Sequence, residues 1–146
     1  MPKTGVFPVF ENKFGIFLTA DASQSTNIAE IDSFSVAIDG KVEEWSPFSS
    51  EGWAKRLMTG KSLTISLKGK RCVGDEGNDY IHECAFKTGT DCNSKFEWTF
   101  PSGGKLTFEC VINVTNPGGG DSTAVDGLEF DAMSSGKPTY TPPAAG

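Results

Sequence analysis

The sequence predicts a mainly β protein: an antiparallel β-sandwich or partly closed β-barrel with one short flanking α-helix and extended terminal arms. Three observations predict it. Apolar and polar residues alternate with a period of two in several separate stretches, the spacing of strands with one buried face. The turn-forming runs Asp39-Gly40 and Pro101-Ser102-Gly103-Gly104 stand between such stretches. With 146 residues, 37% of them hydrophobic, the chain can bury one core but not two full-sized ones. A single domain spanning 1–146 is expected, with an N-terminal arm over 1–13, a core over 14–133 and a C-terminal arm over 134–146.

The first arm has Pro2, Pro8 and no period. Phe34, Val36 and Ile38 alternate up to Asp39-Gly40, read as a tight turn leading to Val42 and Trp45. Ser49 or Ser50 can cap a short helix through Glu51, Trp53, Ala54, Leu57 and Met58, closed by Gly60. Leu63, Ile65 and Leu67 make the next strand. Asp79 can cap a turn or two of helix carrying Tyr80, Ile81, Cys84 and Ala85. Phe96, Trp98 and Phe100 alternate up to the Pro101 turn, and Leu106, Phe108, Cys110, Ile112 and Val114 follow in the longest clean alternation. These two segments predict one hairpin with an aromatic face. A last strand runs near Val125 to Met133, and the closing segment contains Pro138, Pro142 and Pro143.

Thirteen Lys and Arg against 19 Asp and Glu leave a net charge of −6, the wrong sign for a protein that grips nucleic acid through its phosphates. A single His leaves little for acid/base or metal chemistry. No stretch approaches the roughly 18 apolar residues of a membrane-spanning helix, and the N-terminus lacks the continuous apolar core of an export signal. Cys72, Cys84, Cys92 and Cys110 are separated by 12, 8 and 18 residues, so free thiols in a reducing compartment are expected and a zinc site is not. Gly118 to Gly120 lacks the context of a phosphate loop. The acidic turn from Asp75 to Asp79 departs from the EF-hand spacing. Asn113-Val114-Thr115 matches a glycosylation sequon only by coincidence. His82 has no nucleophile motif beside it. No catalytic, cofactor or metal residues are assigned, and no enzyme is expected.

Charge distribution is more informative. Lys55, Arg56, Lys61, Lys68, Lys70 and Arg71 lie between Gly52 and Gly74 with no acid among them, leaving 7 bases against 19 acids elsewhere. Such polarity invites head-to-tail contact between copies, and those six residues are the candidate inter-subunit contacts. The other reading is that strand and helix spread the same charges over different solvated faces.

The runs Val42-Glu43-Glu44-Trp45, Gly52-Trp53 and Gly60-Lys61 through Arg71 resemble the tail tube proteins, or major tail proteins, of long-tailed phages and prophages of Gram-positive bacteria. Gly74-Asp75 with Asn78-Asp79-Tyr80, Lys87-Thr88-Gly89 and Phe96 through Gly103 add to the likeness. So do Asn113 to Asn116, Asp121-Ser122-Thr123, Leu128-Glu129-Phe130 and Ser135 to Tyr140, in the family's order. The match covers about two thirds of the chain, from Asp39 to Tyr140.

The resemblance implies a structural virion protein, made in the bacterial host cytoplasm, that self-assembles into hexameric rings stacked head to tail. Arms and a long loop bridge neighbouring rings. Its implied partners are further copies of itself, a tape measure protein, a tail terminator, and genomic DNA that passes through the lumen without specific binding; no membrane partner and no cofactor are implied. An acidic lumen suits this, because fixed cations would hold the phosphates. Glu97 and Glu109 are candidate lumen-facing acids, lying opposite the apolar face of the aromatic hairpin; solvation on the outside is their other reading. The inner tube of a contractile tail or of a phage-like bacteriocin fits the same resemblance. A carbohydrate- or surface-binding β-sandwich is the alternative from a different class, supported by 16 aromatic residues.

Overall fold

A computed structural model describes residues 4–19 and 23–143. Eight strands and one helix follow in the order β1 (Lys13–Phe17), β2 (Thr26–Asn27), β3 (Ile31–Trp45), β4 (Lys55–Lys70), α1 (Glu76–Cys84), β5 (Asn93–Thr99), β6 (Lys105–Asn116), β7 (Gly127–Ser134) and β8 (Thr139–Thr141). All pairings are antiparallel, in the order β2-β1-β5-β6-β7-β4-β3. β8 extends the sheet beside residues 105–107 of β6, on the edge that β7 occupies along 110–116. The sheet is not closed into a barrel and is consistent with a β-sandwich.

Alternation accounts for most of this. Leu63, Ile65 and Leu67 of β4, Phe108, Cys110 and Ile112 of β6, and Leu128, Phe130 and Ala132 of β7 point to one side and are buried. Register brings them level: Ile65 lies beside Ala132, which lies beside Ile112, and Leu67 beside Phe130, which lies beside Val114. Cross-strand apolar rows of this kind are the unit of sheet stability. The sheet curls over this face until Phe14 of β1 meets Phe34 of β3, and Phe34 meets Trp98 of β5. Gly69 lets the start of β3 come close to β4, because a Cβ there would run into the Glu30 carbonyl and the Ile31 backbone.

Helix α1 covers the core with Ile81 and Cys84. Its cap is Asp75, whose carboxylate accepts from the Asn78 amide at 3.0 Å and also from the Ala29 amide at 3.1 Å. Asp79, expected as the cap, lies one turn inside α1. There it pairs with Arg71 at 2.7 Å and accepts from the Gly74 amide.

Two local expectations are corrected. Residues 50–58 do not form a helix: Lys55 to Met58 are strand, paired with Val42 to Trp45. Trp53, Leu57 and Met58 suit a helix spacing, but a helix there would strip the outer half of β3 of the strand it pairs with. Asp39-Gly40 is not a turn. Gly40 runs mid-strand opposite Lys61 without a positive φ, and the flexible Met58 side chain lies over it, its methyl 2.9 Å from where a Cβ would be. The chain reverses instead over 46–54, where a 3-10 turn at Phe48–Ser50 ends on left-handed Glu51 (φ 54). Of the two expected arms, 1–3 and 144–146 lie outside the described residues; the rest of the second contributes β8, and in the first a 3-10 turn at Val9–Glu11 leads to Asn12, which accepts from the Trp98 indole at 2.8 Å.

Candidate assembly surface

β4 pairs with β7 only along 64–70. Beyond Leu63, whose amide donates to the Ser134 hydroxyl at 3.0 Å, β3 and β4 continue together as a two-stranded ribbon. Its β4 half, residues 55–63, reaches roughly 30 Å at about 3.4 Å per residue. An isolated two-stranded ribbon is marginal in water unless something packs on it.

This ribbon carries the apolar face of the core outwards. Val36 stands opposite Ile65 and Ile38 opposite Leu63, and residues directly opposite in a sheet point to the same side. Ile65 and Leu63 are buried, whereas Val36 and Ile38 are exposed, Ile38 at 65%. Farther out, Val42 and Met58 face each other and are exposed as well. Leu57 and Trp45 are exposed as well, on the other face of the ribbon, and Phe48 and Trp53 stand at the tip, where Trp53 is 79% exposed.

The six basic residues expected as inter-subunit contacts lie along β4 and just past its end. Four are paired within the chain: Arg56 with Glu44 at 3.6 Å, Lys68 with Glu129 at 3.4 Å, Lys70 with Asp32 at 3.6 Å, and Arg71 with Asp79. Lys55 and Lys61 have no ion-pair partner among the described residues. Arg71 is largely buried, its guanidinium also donating to Asn78 at 2.8 Å and to the Cys72 carbonyl at 3.0 Å. The Asn116 amide, and then Lys68, hold the Glu129 carboxyl below its usual range.

Glu97 and Glu109 both point away from the core. Glu97 is half-buried and accepts from the Ser25 hydroxyl at 2.9 Å. Glu109 is exposed, opposite Lys95, whose ammonium lies 5.0 Å from the centre of the Phe17 ring. The same polar face continues across β6, β7, β4 and β3 through Asn113, Asp131, Ser66 and Ser35, which stand in one row. Alternation in β7 would have added Asp131 to the acids on this face, since its neighbours Phe130 and Ala132 are buried.

The buried thiols are unpaired. Burial pushes Cys84 up to about 11 and Cys110 up to about 12, so neither is a nucleophile near neutral pH. His82 packs edge-on against Phe86 at 5.5 Å. Among the described residues no group of His, Cys, Asp and Glu is arranged to hold a metal ion, and no helix is long and apolar enough to cross a membrane.

No family model and no curated protein matches the chain. Solved structures do. A chain from the tail of an empty gene transfer agent (GTA) particle, computed with helical refinement and C6 symmetry, superposes with a TM-score of 0.74 at 16% identity, over 94% of this chain and 100% of that one. A chain from the virion of a native GTA particle superposes with a TM-score of 0.72 at 15% identity and the same coverage. By its fold, this chain is similar to proteins found in the tail and virion of gene transfer agent particles.

Proposed function

We propose that this protein is a structural subunit of a phage-like tail, self-assembling into stacked hexameric rings that form a conduit for DNA. The observation that carries the proposal is the β3–β4 ribbon, an apolar face extended beyond the domain with nothing of its own chain over it among the described residues. Such a face costs solubility in a monomer and is offset when other copies cover it. The likeness to a chain from a GTA tail with C6 symmetry supports a hexameric ring. In this reading the ribbon and the terminal segments bridge rings, with Lys55 and Lys61 as the basic contacts left free by the fold. The polar face carrying Glu109 and Asp131 lines the channel, where Lys68 is taken up by Glu129 and Lys95 stands opposite Glu109, which leaves less positive charge to hold DNA. Glu97 lies at the margin of that face. A tape measure protein and a tail terminator are the expected partners, and the virion is the site of action.

Negative-stain electron microscopy and sedimentation of the purified protein over a series of concentrations and salt test this. Rings or tubes are expected. A monomer at every concentration and ionic strength would refute the proposal.

A further inference from the structure

A knob and a groove lie at opposite ends of β3. The knob is the ribbon tip, where Phe48 and Trp53 stand largely in solvent. The groove, of about 440 Å³, lies between Val9 and Phe10 on one side and the start of β3 on the other, over Phe14, Ile28, Ile31 and Phe34. Phe10 on its wall is 85% exposed. An indole ring has room there.

Charge matches as well as shape. The tip carries Glu51 and Lys55; the groove is lined by Lys13 and Glu30. None of these four has an ion-pair partner among the described residues, whereas most charges along the ribbon do. Asp32, also on the groove, is taken up by Lys70.

We infer that the ribbon tip of one copy docks in this groove of a second copy, Trp53 and Phe48 over Phe14 and Ile31, with Lys55 facing Glu30 and Glu51 facing Lys13. The inference rests on the self-assembly reading and names the surface that receives the ribbon. Knob and groove on one subunit are different surfaces, so the contact is heterologous and propagates head to tail. Their separation also predicts the axial repeat. From Phe34 to Trp45 and on to the tip, strand geometry gives about 40 Å between stacked copies.

The test is a charge swap read by sedimentation and electron microscopy on the full chain. Lys55→Glu and Glu30→Lys each weaken stacking, and the double variant restores it, with an axial repeat of about 40 Å. Trp53→Ala raises the concentration needed for stacking by about 30-fold, the weight of a buried aromatic anchor. Circular dichroism checks that each variant is folded. If the wild type assembles and the folded single swaps assemble equally well, or the double swap fails to restore stacking, this docking is wrong while self-assembly stands. If the wild type never assembles, both fall.

Discussion

The Phe14 and Phe34 rings meet edge-on, 4.7 Å between centroids, although β1 and β3 share no backbone pairing. They join the two ends of the curled sheet where hydrogen bonding does not, and Trp98 extends the contact at 5.5 Å from Phe34. Phe34→Ala should therefore cost about 3 kcal/mol in urea unfolding, and Phe34→Leu less than half of that, because the leucine keeps most of the volume. A loss under about 1 kcal/mol for the alanine variant would show that the seam carries little of the stability.

Asn78 is fully buried and uses its whole side chain. Its oxygen accepts from Arg71 and from the Cys72 amide, and its nitrogen donates to the Ala29 and Lys70 carbonyls at 3.2 and 2.9 Å. Asn78→Ala strands these partners and should destabilise the fold by about 3 kcal/mol. Hydrogen exchange should locate the loosening at the start of α1 and the turn before β3; uniform loosening across the sheet would contradict the assignment.

The ribbon separates stability from assembly. Ile38 is 65% exposed, so Ile38→Lys should lower the monomer's thermal midpoint by no more than about 4 °C, since surface changes are usually within about 0.5 kcal/mol. The same change should abolish self-association in sedimentation. A folded Ile38→Lys protein that assembles normally would remove this ribbon face from the interface.

Cys84 and Cys110 make the fold sensitive to alkali. Burial raises both above the ordinary thiol value of 9.0, so above pH 9 the unfolded chain releases these protons first. Between pH 9 and 11 the native state holds more protons than the unfolded one, and stability falls as pH rises. Thermal melts should show this decline flattened in Cys84→Ala, after comparison at neutral pH corrects for its lost packing. An unchanged slope would place the alkaline loss on other groups.

Much of the fold was legible because period-two alternation is a local property. The rows of β4, β6 and β7 are spelled out by Leu63, Ile65 and Leu67, by Phe108, Cys110 and Ile112, and by Leu128, Phe130 and Ala132. The ribbon was not. Leu57 and Met58 satisfy a helical spacing, and Asp39-Gly40 satisfies a turn. Pairing across the chain, Val42 with Met58 and Gly40 with Lys61, makes both of them strand. The basic segment was legible as a count but not as a surface, because Glu44, Asp32, Glu129 and Asp79 reach it from other elements.

Composition and periodicity depend only on the order of residues, and they suffice to predict a mainly β, antiparallel fold with one helix. Which apolar residues become core and which stay open was settled by folding. Leu63 and Ile38 belong to equally clean alternations and stand opposite each other on one face, yet the first is buried and the second is 65% exposed. The difference lies in their other neighbours: β4 gains β7 beside it from Thr64 onwards, while among the described residues β3 has no strand on its outer edge. Burial depends on what folds over and beside a residue, and register and strand length between distant segments decide that.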